Sequence, residues 1–161
     1  MKKLLLLGVP LFIGMTGISP LTPSRSQDRG VNEGIRERFV GAWRLAWLEE
    51  ESPDGKIQRA DCAGMLVYTR DGHMSVQVMY LNPQAGSGAA PVQYAQGGYE
   101  ASFGTYVIDE RLHTFTFQVE GALVRTLIGK KLTRVYEFSG RELIVRSSNP
   151  DEHWKVAWEP Y

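Results

Sequence analysis

From Phe39 onward the sequence runs on a period of two. Phe115, Phe117 and Val119 alternate with Thr114, Thr116 and Gln118, which puts alternate side chains on opposite faces of an extended strand. Short turn clusters repeatedly cut this alternation: Pro53-Asp54-Gly55, Arg70-Asp71-Gly72, Asp109-Glu110-Arg111 and Ser139-Gly140-Arg141. The pattern predicts strands over Phe39–Glu50, Met65–Thr69, His73–Tyr80, Phe103–Ile108, Leu112–Glu120, Lys131–Phe138, Glu142–Ser147 and His153–Glu159. In the first of these, Trp43, Leu45 and Trp47 are expected on one face. Sequential strands joined by tight turns form an antiparallel meander, and eight of them close into an up-and-down β-barrel without exposed edges. Such a barrel is filled by its own side chains or holds one small ligand. Periodicity leaves both open.

Residues 1–26 do not share this pattern. Lys2 and Lys3 precede the apolar run Leu4 to Ile13, which is too short and too interrupted by Gly8 and Pro10 to span a bilayer. Small residues at Ser24 and Ser26 match what a signal peptidase reads. A signal peptide over 1–26 is therefore expected, with export to a periplasm or the exterior and no stable membrane insertion of the mature protein. Residues 27–38 form a short segment in which Asn32 can cap a helical turn that carries Ile35 and Phe39 on one face. Residues 39–161 form the barrel domain.

The whole chain of 161 residues carries 18 Lys plus Arg and 18 Asp plus Glu. Residues 1–26 hold three of the bases and no acid, so the remainder has 15 bases against 18 acids. That balance does not suit a nucleic-acid partner. An exported fold with only Cys62 cannot rely on an internal disulfide. Cys62 is expected to be buried and inert, with a reactive thiol as the alternative.

Motif chemistry is sparse. No Gly-x-Ser-x-Gly elbow, phosphate loop, dinucleotide glycine fingerprint or Cys-x-x-Cys pair occurs, and no cofactor is implied. His73, His113 and His153 lie at or beside turns without metal-ligand spacing, so no metal site is expected. The run Glu49-Glu50-Glu51 is expected to be a solvated strand end. The long connection Leu81–Ser102 is a candidate lid or an outer helix, with Pro91 at a helix start and Tyr94, Tyr99 and Phe103 at roughly helical spacing.

Arg134 is the most informative polar residue. By alternation it shares an apolar face with Leu132, Tyr136 and Phe138, and a guanidinium there needs a carboxylate, carbonyls, an aromatic plane or an anionic ligand. It either closes the barrel by stacking on Trp43 or pairing with Glu120, or it orients a ligand inside. Ser75 and Gln77 alternate with Met74, Val76 and Val78 on the third strand. Hydrophobicity alone turns the valines inward. Tyr68 and Tyr106 can add hydroxyls to the same interior.

Phe39-Val40-Gly41-Ala42-Trp43 resembles the Gly-x-Trp motif that opens lipocalin barrels. The likeness extends to the bacterial and fungal lipocalin-like domains of the calycin superfamily. It is carried by Gly41-Ala42-Trp43-Arg44-Leu45, by Gly64 to Thr69 followed by Asp71-Gly72, and by Met74-Ser75-Val76-Gln77. Phe103-Gly104-Thr105-Tyr106, Val119-Glu120-Gly121, and Gly129 followed by Arg134 continue it, so that it covers most of residues 38 to 159. The resemblance implies an inward Ser75 and Gln77, against the hydrophobic reading. Two positions depart from the pattern: Phe117-Gln118 stands where the family often has histidine, and Trp158-Glu159-Pro160 replaces a closing Trp-Glu-Arg.

The expectation is an exported lipocalin-like barrel that buries a small, largely apolar molecule. Trp43, Trp47, Tyr68, Tyr106, Phe117 and Tyr136 would form its walls, and Arg134, Ser75 and Gln77 would orient the ligand. The alternative is an isomerase, hydratase or lyase of the same fold, with Arg134 stabilising an oxyanion and Glu120 or a tyrosine moving the proton. A filled barrel that binds an envelope partner is the third reading.

Overall fold

The computed structural model describes residues 34–82 and 97–161. Nine strands follow a short helix over residues 34–39: β1 (Gly41–Glu51), β2 (Ile57–Arg59), β3 (Cys62–Tyr68), β4 (His73–Tyr80), β5 (Tyr99–Asp109), β6 (Thr114–Ala122), β7 (Lys131–Ser139), β8 (Glu142–Ser147) and β9 (Trp154–Pro160). Each pairs antiparallel with its neighbour in the order β2-β1-β3-β4-β5-β6-β7-β8-β9, and β1 also pairs with β9. That last pairing closes the sheet. β2 and β3 both lie along β1, at Glu49–Glu51 and at Gly41–Arg44 respectively. They act as one broken stave, and the result is the expected eight-staved up-and-down barrel.

The differences from the sequence expectation are local. β2 is an addition, made where Ile57, Gln58 and Arg59 pair with Glu51, Glu50 and Glu49 after the Pro53-Asp54-Gly55 turn. The β1–β9 register slips between Leu45 and Trp47. One extra residue in a strand reverses the facing of every residue beyond it. Trp43, Leu48 and Glu50 therefore point inward, whereas Trp47 lies on the outer face, its ring 5.2 Å from the Arg59 guanidinium and 5.7 Å from the Lys155 ammonium. The shared face of Trp43, Leu45 and Trp47 is not formed. β5 begins at Tyr99, so Tyr99 and Phe103 belong to a strand and not to a helix. Pro91, Tyr94 and the signal-peptide region with its cleavage after Ser26 lie outside the described residues, as does Asn32.

Side chains of the helix close one end of the barrel. Phe39 has no exposed surface, and Ile35 packs beside the core. The Phe39 ring meets Tyr68, Phe115, Tyr136 and Phe138 edge-on at centroid distances of 4.9–5.8 Å, a geometry that the aromatic quadrupole favours. The indole N–H of Trp43 donates to the Phe39 carbonyl at 2.8 Å. Opposite Trp43 on β9 stands Pro160, the position where the resemblance implies an arginine. Here Arg38, from the helix, lies 3.9 Å over the Phe138 ring instead. The floor thus has an arginine from the front of the chain.

Candidate functional site

The inward faces above this floor enclose a cavity. Leu48, Leu66, Tyr68, Met74, Val76, Val78, Phe115, Phe117, Leu132, Val145, Val156 and Trp158 supply its apolar walls. Two charged side chains, Glu100 and Arg134, join Trp154 on the lining. About 90 Å³ is open to the centres of water-sized atoms, within atom-free space of about 690 Å³ that includes the mouth. The first figure exceeds the 10–15 Å³ or so that one water needs by several-fold. The barrel is hollow.

Arg134 arrives here by the alternation of β7, which carries Leu132, Arg134, Tyr136 and Phe138 inward. Its guanidinium lies 5.1 Å from the Trp154 ring centroid, and Nη1 donates to the Thr133 carbonyl at 3.2 Å. The aromatic plane beside the guanidinium is Trp154, whereas the indole of Trp43 is held on the Phe39 carbonyl at the closed end. Glu120 is not the acid of this site either. A register shift in the β5–β6 ladder pairs Phe103 with Gly121 and Gly104 with Val119, leaving Glu120 as an exposed bulge residue. The site's carboxylate is Glu100. Loss of water pushes its carboxyl up to about 7, while the Arg134 charge pulls in the opposite direction.

Of the residues expected at a ligand site, Tyr68, Phe117 and Arg134 share the cavity wall. Trp43, Tyr106 and Tyr136 are buried but do not line it. The Tyr106 hydroxyl is already occupied, donating to the Thr69 carbonyl at 3.0 Å. Ser75 and Gln77 face outward, opposite Val67 and Met65 of β3, while Met74, Val76 and Val78 take the interior. Burying valine and methionine outweighs the family resemblance at this point. Tyr68 is 1% exposed, and its hydroxyl has no hydrogen-bond partner among the described residues.

Next to the site lies a second polar group that the sequence pattern concealed. Glu50 is 2% exposed, and it accepts a hydrogen bond from the Tyr80 hydroxyl at 3.0 Å. The bulge at Leu45/Trp47 turns it inward, so the run Glu49-Glu50-Glu51 is not simply a solvated end. Glu49 pairs with Arg59 at 3.7 Å and Glu51 contacts His153, both on the outside. Burial raises the Glu50 carboxyl, and the hydrogen bond from Tyr80 offsets part of that rise. Cys62 is partly buried, and burial beside the charges of Glu50 and Asp61 pushes its thiol up to about 11. Among the described residues no group of three or more His, Cys, Asp and Glu is placed to hold a metal ion.

A closed, hollow, eight-staved meander with a floor packed on the opening tryptophan defines a calycin-type barrel. The sequence pattern of the lipocalin-like domain matches residues 40–159, and the chain belongs to that family. Among solved structures, a lipocalin-like protein from Bacteroides uniformis is similar at 15% identity, with 77% of this chain and 99% of that one covered and a TM-score of 0.45. An uncharacterized protein from Bacteroides eggerthii is similar at 16% identity over 76% and 99%, with a TM-score of 0.44. A biogenic amine-binding protein is similar at 15% identity over 75% and 63%, with a TM-score of 0.42. No curated protein matches the chain in sequence.

Proposed function

We propose that this chain is an exported lipocalin-like protein, periplasmic or secreted, that takes one small, largely apolar molecule into the barrel. The observation that carries the reading is the cavity itself: apolar walls of aliphatic and aromatic side chains with two charged groups set into them. That is the composition of a small-molecule site, in which apolar area supplies affinity and a few polar groups fix orientation. At about 25 cal/mol per Å², burial of the ligand's apolar surface is the main source of binding energy. Export rests on the basic and apolar pattern of residues 1–26.

Trp154 and Trp158 line the cavity and make the test direct. Titration of intrinsic fluorescence with a panel of apolar molecules is expected to give a saturable change, and Trp154→Phe is expected to reduce its amplitude. No saturable response across the panel would refute the binding reading. The intact mass of protein isolated from its host, short by residues 1–26, checks export.

One observation favours a second reading. A carboxyl near neutrality facing an apolar cavity, under the influence of a permanent cation, is equipped for general acid–base work. In an isomerase, hydratase or lyase, Glu100 takes the part expected of Glu120, and Arg134 stabilises the oxyanion. Turnover of any such substrate is then lost in a folded Glu100→Gln variant, whereas binding persists.

A further inference from the structure

We infer that the barrel selects a ligand with a carboxylate head, which takes over the field of Arg134 from Glu100 and leaves Glu100 to bind a proton. This deepens the binding reading and rests on it.

The two charged residues on the lining, Glu100 and Arg134, are not symmetric. A guanidinium keeps its charge at any accessible pH, whereas a carboxyl in apolar surroundings can give its charge up by taking a proton. The cavity can therefore be neutral, with both groups charged, or carry one positive charge. Among the described lining residues, this pair has no state with a net negative charge. A ligand anion meets either a cationic cavity or one that becomes cationic by a single protonation. A ligand amine meets Arg134 in every state, and like charges in a region poor in water repel strongly. The pair thus favours an anionic head over a cationic one, although an acid lines the cavity.

The groups facing Glu100 support this direction. Arg134 acts on it from β7, and Tyr80 from β4, whose phenol is raised by burial and by Glu50, lies close enough for the Glu100 charge to add to that rise. Behind Tyr80, Glu50 on β1 accepts the phenolic hydrogen bond, and Cys62 on β3 lies nearby with its thiol raised. Neither the phenol nor the thiol supplies a compensating positive charge. Arg134 is the cation that holds the Glu100 carboxyl at about 7 against its burial. A bound carboxylate cancels that help and adds repulsion. Glu100 then protonates, and binding takes up a proton above neutral pH.

Three probes with one apolar body separate the outcomes: octanoate, octan-1-ol and octylamine, titrated into the full mature chain by calorimetry between pH 6 and pH 8.5. At pH 6 octanoate is expected to bind at least about tenfold more tightly than octylamine. Its affinity is expected to fall by roughly thirtyfold from pH 6 to pH 8.5, following the linkage between binding and protonation. In buffers of different ionisation enthalpy at pH 8, proton uptake is expected to approach one per octanoate. Glu100→Gln is expected to remove the pH dependence and the uptake while retaining octanoate binding. Arg134→Met is expected to bring octanoate down to the level of octanol. Octanol binding without preference for octanoate overturns the head-group inference and leaves the binding reading standing. Octanoate binding without proton uptake in the wild type also overturns it, independently of how the variants fold. Absence of binding by all three overturns both.

Discussion

A Cβ atom on Gly104 would lie 2.0 Å from the backbone carbonyl oxygen of Gln118, across the β5–β6 ladder at its bulge. No side chain can be accommodated there without moving main chain on one of two paired strands. On the other side of the same bulge, a Cβ on Gly121 would fall 2.4 Å from the Phe103 ring, which covers it. The two glycines permit the shift that leaves Glu120 without a partner in the ladder.

Gly104→Ala is therefore expected to destabilise the barrel by about 3 kcal/mol or more, the range for overpacking that cannot relax through a side chain. Gly121→Ala is expected to cost less, because the Phe103 ring can swing toward solvent. Urea denaturation of the two variants beside the wild type measures both. Equal, small losses would show that the ladder yields at Gly104.

Tyr68 raises a different expectation. It is buried against Phe39, Tyr106 and Phe115, and its hydroxyl has no partner among the described residues. Burial, with the neighbouring Tyr106, drives the phenol well above its ordinary range and keeps it neutral. An unmade hydrogen bond on a buried hydroxyl costs about 1–3 kcal/mol. Tyr68→Phe keeps the ring contacts, so the empty protein is expected to gain roughly 1 kcal/mol and to melt a few degrees higher. A lower melting temperature would mean that the hydroxyl is satisfied in solution.

The thiol of Cys62 can be tested by rate. With its thiol near 11 rather than at the ordinary value of 9.0, the thiolate fraction at pH 8 drops about a hundredfold. Alkylation by iodoacetamide in the native protein is expected to be slower than in urea by at least that factor, since burial adds to it. Similar rates in both states would place Cys62 among reactive thiols and restore the alternative that the sequence left open.

How far the sequence spoke depends on whether a strand kept its phase. Where it did, as along β7, alternation placed Leu132, Arg134, Tyr136 and Phe138 on the interior correctly. Where a bulge intervened, alternation misassigned the residues beyond it. Trp47 moved outside and Glu50 inside because of the slip at Leu45/Trp47, whereas Glu120 lies outside in phase with Thr114, Thr116 and Gln118, where alternation from Val119 already put it. A bulge is set by the fit of two strands that are distant in sequence, so one strand alone does not announce it. Glu100 was hidden for another reason: it falls within Leu81–Ser102, which was read as a lid or outer helix, whereas β5 already begins at Tyr99. The signal was nonetheless present, since Glu100, Ser102, Gly104, Tyr106 and Ile108 continue one face of β5 back to the mouth. Following that alternation from Tyr106 would have found the acid. The outward Ser75 and Gln77 show the reverse case, in which Met74, Val76 and Val78 gave the right facing and family likeness gave the wrong one.

Glu100 also links the empty barrel's stability to pH. Its carboxyl is raised in the folded state, to about 7 from an ordinary value of 4.5, so the folded protein binds the proton more tightly than the unfolded chain. A raised carboxyl leaves stability intact below the unfolded value, and the loss develops as pH climbs from about 4.5 through 7. Above that window the cost is on the order of 3 kcal/mol, at about 1.4 kcal/mol for each pH unit by which the carboxyl is raised. Glu100→Gln removes the titrating group while keeping its shape. It is expected to leave stability near wild type at pH 4 and to raise it by roughly 3 kcal/mol at pH 8. Glu50 is raised as well, so a smaller decline with pH remains in the variant. Denaturation midpoints from pH 4 to pH 8 for both proteins test this. A gain from Glu100→Gln that is the same at pH 4 as at pH 8 would show that it comes from packing and that Glu100 does not titrate in this window.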